Sequence, residues 1–336
     1  MTMRAFGEAE GAPVVEITIA SKAGAVAKII NWGAVLRDLV VPSKNGPQRV
    51  TLGLNSLPDY EHHSPSFGAV PGRFANRIAN GQFTLDSVDY SLDRKPGDKH
   101  TLHGGPHGFG KRPWRIAEHD DSSLTLTLHS VDGDGGFPGT LDATCVYRME
   151  EPATLRVELT AVCDAATIIN LTHHGYFNLD GSPDILDHEL VLNADFYTPT
   201  DADLIPTGEI RAVAGTPYDF RTARTVRHAS GQTYDTNFVL KAQPAGQDGL
   251  ALAAILRSPK NGLIMELRTT EPGVQFYDAA KLNCPVPGLD GAHYGAHAGL
   301  CLEPQVFPDS PNRRHFPACI LRPDEEYRHV SEFRFF

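Results

Sequence analysis

Apolar and polar residues alternate with a period of two from one end of this chain to the other. Val15, Ile17 and Ile19 alternate with Glu16 and Thr18. Leu124, Leu126 and Leu128 alternate with Thr125 and Thr127, and Leu155, Val157 and Leu159 with Arg156 and Glu158. Leu263, Met265 and Leu267 alternate with Ile264, Glu266 and Arg268. A strand sends successive side chains to opposite faces, so this period marks half-buried β-strands. Turn-forming clusters such as Pro42-Ser43-Lys44-Asn45-Gly46 and Asp132-Gly133-Asp134-Gly135-Gly136 separate the runs. Long helical patterns with caps are absent. The expectation is an all-β chain of packed antiparallel sheets, a large sandwich or barrel-like domain. No Ser/Gly-rich linker, composition shift or internal repeat divides it, so residues 1–336 are expected to form a single domain.

Of 336 residues, 41% are apolar, enough for a substantial core. The formal net charge of −11 disfavours nucleic acid or an anionic membrane surface, since phosphate binding needs a basic patch. The five cysteines are scattered, odd in number and without a CxxC pair, which fits a reduced, cytoplasmic setting. The N-terminus shows no apolar secretory segment, and no stretch approaches the roughly 18 apolar residues of a membrane span. Nothing in the sequence sets an oligomeric state.

Two motif matches fail on their context. Gly105-Pro106-His107-Gly108-Phe109-Gly110-Lys111 has the spacing of a phosphate-cradling loop, but Arg112-Pro113-Trp114 follows where a helix N-terminus should supply amides. Asp132-Gly133-Asp134 begins like a calcium loop, but Ala143 stands where a bidentate carboxylate belongs. His100, His103 and His107 have ligand-like spacing, yet Gly104-Gly105-Pro106 interrupts any shared helix face, so no metal site is expected.

The segment Thr172-His173-His174-Gly175-Tyr176-Phe177-Asn178-Leu179 carries more chemistry. If it is extended, His174, Tyr176 and Asn178 share one face, and His173, Phe177 and Leu179 share a core-like face. Polar groups also concentrate around Asn76-Arg77, at Tyr234-Asp235-Thr236-Asn237, in Gly273-Val274-Gln275-Phe276-Tyr277 and in Leu302-Glu303-Pro304-Gln305. Period two puts Gln275 with Tyr277, and points Glu303 away from Leu300 and Leu302. Singly, each has a plain structural reading: a salt bridge for Arg77, a turn cap for Asp235, a solvated Gln275, an edge charge for Glu303.

Taken together and in this order, with Leu102-His103-Gly104-Gly105, Gly135-Gly136-Phe137-Pro138-Gly139 and Phe307-Pro308-Asp309, these segments resemble the aldose 1-epimerase (galactose mutarotase) family across nearly the whole chain. The resemblance implies a large antiparallel β-sandwich of the galactose mutarotase type, a cleft on one sheet, a small aldose as the partner molecule, and no cofactor. It implies His174 as catalytic acid and Glu303 as catalytic base. It implies Asn76, Arg77, His103, Tyr176, Asp235 and Gln275 as substrate-holding residues. The chain departs from the family pattern at His173, usually asparagine, and at Gly110, Thr236, Pro304 and Asp324.

Interconverting anomers requires opening the sugar ring. A base takes the C1 hydroxyl proton while an acid protonates the ring oxygen, which asks for a carboxylate and an imidazole on opposite sides of one sugar. Two other readings remain. One is a hexose-6-phosphate 1-epimerase, which needs a cationic pocket; Arg73 and Arg77 are available, with no further basic cluster evident. The other is a non-catalytic sugar-binding module, for which an opposed acid and base are superfluous.

Overall fold

The computed structural model describes residues 2–242 and 249–336. Strands dominate, and the one α-helix among the described residues is Leu57–His63, opened by Ser56, whose hydroxyl accepts the Asp59 amide at 3.3 Å. No helix is long and apolar enough to cross a membrane among the described residues.

Two large antiparallel sheets carry the architecture. Nine strands form one, with Thr154–Cys163 and Tyr327–Phe335 at its centre. Six form the other, in the spatial order Tyr176–Phe177, Leu300–Gln305, Gly273–Tyr277, Asp235–Leu240, Ala194–Thr198, Arg211–Ala212. A five-stranded N-terminal sheet runs from Thr2–Ala9 to Gly46–Arg49.

The alternation predicts the core faithfully in the long strands. Leu155, Val157 and Leu159 of the nine-stranded sheet are buried in the same apolar cluster as Val274, Phe276, Leu300 and Leu302 of the six-stranded sheet. The Phe177 and Phe333 rings stack across the two layers at 5.1 Å. Each such side chain contributes about 1.5–3 kcal/mol by leaving water. The sandwich follows because both sheets have one apolar face, and each covers the other's.

Glu16 breaks the pattern. It occupies a polar position of an alternating strand, yet it is buried, because Arg37 and Arg4 both reach its carboxylate at 2.6 Å. The N-terminal sheet is covered on both faces here, and a buried charge persists only when paired.

The six-stranded sheet has its other face free to build a site. Its register sets Gln275 opposite Glu303, and Tyr277 opposite both Cys301 and Asp235. Core-facing Val274, Phe276 and Leu302 alternate with these polar groups, so one buried face fixes the other.

Candidate active site

The free face of the six-stranded sheet floors a cleft of about 280 Å³. Glu303, Asp235 and Tyr277 come from its strands, His174 and Tyr176 from the edge segment, Arg77 from the short strand Arg77–Ile78, and Asn76 and His103 from the residues flanking that strand and its partner. Gln275 lies beneath Asp235 and donates to its Oδ1 at 2.7 Å. All eight residues singled out in the sequence therefore converge here: seven line the cleft and Gln275 braces one of them.

His174 and Glu303 are both buried, and Nε2 of the imidazole lies 3.5 Å from Oε2 of the carboxyl. At that spacing no sugar ring fits between them, contrary to the opposed arrangement expected from the chemistry. They approach one edge of a ligand together. This suffices for anomer exchange, because the C1 hydroxyl oxygen and the ring oxygen are both bonded to C1. Burial pushes the His174 imidazole down to about 4. Burial, with Asp235 nearby, holds the Glu303 carboxyl well above its ordinary range, against the pull of Arg77. Desolvation thus favours the uncharged forms of both.

Tyr176 stacks its ring on His174, with centroids 5.2 Å apart and planes within 11°, and its hydroxyl donates to the Pro65 carbonyl at 3.2 Å. The imidazole covers one face of the ring, so Tyr176 steadies His174 while still lining the cleft. His173 faces the other way, as period two predicts: it is buried against Tyr147 and Phe333, its ring nitrogens finding no hydrogen-bond partner among the described residues. Asn178 does not join the site. Its amide donates to the Ser182 and Ala298 carbonyls, tying down the segment's end.

Asn76 and His103 clasp one another. The His103 amide donates to the Asn76 carbonyl at 3.0 Å, and the Asn76 amide donates to His103 Nδ1 at 3.1 Å. Both have positive φ, 64° and 53°. Non-glycine residues there cost of order 1 kcal/mol each, and such strain concentrates at functional sites. Burial, His174 and Arg77 hold the His103 imidazole well below its ordinary range. With Nδ1 accepting, the ring's one proton lies on Nε2. Gly104 follows at φ 78°, where a Cβ would meet the Gly72 carbonyl oxygen at 1.8 Å.

His103, His174 and Glu303 also offer ligand atoms within 4.8 Å of one another, a grouping the sequence did not single out. The Nδ1 bond argues against metal ligation by His103, because its remaining nitrogen carries the proton. The His100-His103-His107 spacing is dispersed: His100 accepts the Asn80 amide and faces Asp203, and His107 is exposed.

The charge inventory differs from the expectation. Arg73, a candidate phosphate ligand, is buried away from the cleft, where its guanidinium holds the Pro138, Gly139, Ser130 and Val131 carbonyls. Asp132 and Asp134 brace the same turn, accepting from the Gly139 amide and the Ser130 hydroxyl. In place of Arg73, Lys95, Lys111 and Lys281 line the cleft. The signal for two of them was their position on either side of the Leu102-His103-Gly104-Gly105 motif; for Lys281 there was none.

A β-sandwich with a buried imidazole–carboxyl pair in a polar, monosaccharide-sized cleft is an acid–base enzyme scaffold for small polar ligands. The family described as aldose 1-epimerase matches residues 15–334. The chain is 40% identical to galactose mutarotase from Bos taurus over 91% of this chain and 90% of that protein. It is 37% identical to aldose 1-epimerase from Escherichia coli K12, covering 97% and 96%. Among solved structures, an aldose epimerase homologue from C. elegans superposes with a TM-score of 0.90 at 32% identity, covering 96% of this chain and 98% of that one. The chain belongs to the aldose 1-epimerase family. It is an isomerase that interconverts the α and β anomers of an aldose.

Proposed function

We propose that the substrate is a free aldohexose of the galactose or glucose type, and that Glu303 and His174 open and reclose its ring. The observation that carries this reading is the buried pair itself, with 3.5 Å between Nε2 and Oε2. Together the two groups hold one exchangeable proton. Burial favours that proton on Glu303 at rest; the form that opens the ring is the reactive tautomer, with the proton on His174 and Glu303 as carboxylate. Glu303 takes the proton from the C1 hydroxyl, the C1–oxygen bond becomes a carbonyl, and the electron pair of the broken C1–ring bond goes to the ring oxygen, which takes the proton of His174. The pair is then uncharged, the state that burial favours, so the open-chain intermediate meets a relaxed site. C1 turns about the C1–C2 bond, and the two groups reverse roles to close the other anomer. Each well-placed acid or base contributes about 10²–10⁴-fold.

Arg77, the Nε2–H of His103 and Asp235 supply donors and an acceptor for sugar hydroxyls, and Asn76 holds His103 in place. Charge-assisted bonds of this kind orient as well as bind. Asn76 and Glu303 come from distant parts of the chain, which supports treating residues 1–336 as one functional domain. The test is polarimetric: freshly dissolved α-D-galactose and α-D-glucose should lose their initial rotation faster with the protein than without it. Rates equal to buffer alone for both would sink the proposal.

A further inference from the structure

The cleft carries more positive charge than a neutral sugar requires. Four cationic side chains line it, Arg77, Lys95, Lys111 and Lys281, against the carboxyls of Asp98, Asp235 and Glu303, in a chain whose net charge is −11. Among the described residues, no carboxylate forms a salt bridge with Lys95 or Lys111, whereas Lys99, close by in sequence, is neutralised by Asp203 at 2.7 Å. The Lys111 ammonium has a weak hold on the Gly105 carbonyl at 3.3 Å and is half-buried. Burial and the neighbouring Lys95 ammonium push its pKa down to about 8, with Asp98, on the same cleft, pulling only weakly the other way. Two like charges held together, one of them partly out of water, are stabilised by an anion that bridges them. A low-dielectric cleft also focuses their field onto whatever enters.

We propose that Lys95 and Lys111 form an anion subsite, and that the cleft takes aldoses bearing a phosphate or carboxylate away from the reacting C1 edge, in addition to neutral ones. The subsite rests on the epimerase reading above only for the position of the ring. His103, Lys95 and Lys111 line the same cleft of about 280 Å³, so a sugar held by the His103 Nε2–H shares that small space with both ammonium groups.

Mutarotation of glucose 6-phosphate against glucose, and of galacturonate against galactose, compares an anionic with a neutral aldose after subtracting the uncatalysed rate. The expected result is a kcat/KM about tenfold or more higher for at least one anionic sugar at low salt, arising in KM and shrinking with added NaCl. Lys95→Gln and Lys111→Gln should each lower the anionic-to-neutral ratio by about tenfold. Preference for the 6-phosphate, with competitive inhibition by inorganic phosphate, identifies a phosphate site; preference for galacturonate alone identifies a carboxylate site. If neutral aldoses turn over while neither anionic sugar is favoured, or the ratio survives both substitutions, the subsite is wrong and the epimerase stands. Calorimetric binding of glucose 6-phosphate separates the two in the other direction. Lysine-dependent binding with no turnover of any aldose would leave the subsite and sink the reaction, and absence of binding would sink the subsite.

Discussion

The Asn76 amide donates to His103 Nδ1 at 3.1 Å, and this one bond decides which end of the imidazole faces the cleft and in what state. An accepting Nδ1 leaves Nε2 protonated, so His103 presents a donor. The bond is short-range only because two left-handed residues, Asn76 and His103, bring their loops together through the Leu102 to Arg77 strand pairing.

His103→Asn tests that role. Asparagine tolerates positive φ, and its side-chain oxygen can take the Asn76 amide, but its Nδ2 donors stop short of where the imidazole places Nε2–H. Mutarotation kcat/KM should fall about 10- to 100-fold, with the melting temperature close to that of the parent. A variant that lost stability and activity together would assign His103 to the scaffold alone.

The pair at the floor of the cleft makes a sharper demand. Glu303→Gln should lower kcat about 10²–10⁴-fold while still binding sugar, and His174→Asn should do likewise. His173→Asn should change kcat little, because that ring packs on Tyr147 and Phe333, outside the cleft. Wild-type turnover in Glu303→Gln removes it as the base. Loss confined to His173→Asn would reverse the assignment of the two histidines.

The pH profile follows from the shared proton. Activity requires one proton on the His174–Glu303 pair. Burial lowers His174 to about 4 and raises Glu303 well above the usual carboxylate range, so kcat/KM should form a plateau with its acid edge near 4 and its alkaline edge displaced upward from the usual carboxylate range. Its acid limb begins as the pair gains a second proton, and its alkaline limb as it loses the last. Circular dichroism at each pH separates this from unfolding. An acid limb centred on 6.5, the ordinary histidine value, would show that the imidazole is not desolvated in the working enzyme.

The buried histidines each lower stability on acidification, for a separate reason, partly offset by Glu303 and Glu271, whose raised carboxyls take a proton first in the folded state. Burial keeps folded His173 neutral down to about 3, whereas the unfolded chain protonates it near 6.5. Between those values the unfolded state binds the extra proton, so stability is full above 6.5 and is lost as pH falls. Each such histidine steepens the loss by about 1.4 kcal/mol per pH unit. His174 and His329, both buried and both lowered to about 4, act in the same direction. His173→Asn should flatten the slope of urea-unfolding free energy between pH 6 and 4.5 by about one proton's worth; an unchanged slope would place His173 in contact with water.

Gly104→Ala should abolish both fold and function locally. The added Cβ would overlap the Gly72 carbonyl oxygen, and φ of 78° disfavours any L side chain. A loss of at least about 2 kcal/mol in unfolding free energy is expected, with kcat/KM reduced because His103 precedes it. Wild-type stability would mean the turn can open at no penalty.

Much of this protein was legible in the chain because strand geometry is local. A period of two assigns side chains to faces one residue at a time, so the Leu302 core position carries Glu303 to the free face, and Phe177 likewise commits Tyr176. His173 and His174 separated correctly on the same ground. The same rule misled at Glu16, whose polar face is covered by Arg37, and at Asn178, which ties down a turn beyond the strand. Alternation reports which way a side chain leaves its strand, and is silent on what it meets there.

Everything that depends on two segments meeting was decided by tertiary structure. That His174 and Glu303 share one edge of the cleft, that Tyr176 stacks on its neighbour, and that His103 is a donor all arise from contacts between strands and loops remote in sequence. Charge shows the division most plainly. The sequence by itself determined the packed antiparallel sheets and the core, which follow from periodicity, while the set of convergent polar groups was readable only through the ordered resemblance to a family. It could not tell Arg73 from Lys111. Both are cations beside a glycine-rich turn, and only the folded chain surrounds one with carbonyls and sets the other on the cleft wall with no carboxylate in salt-bridge contact among the described residues. Coulomb and desolvation energies depend on distances through space, and those exist only once the sheets have closed.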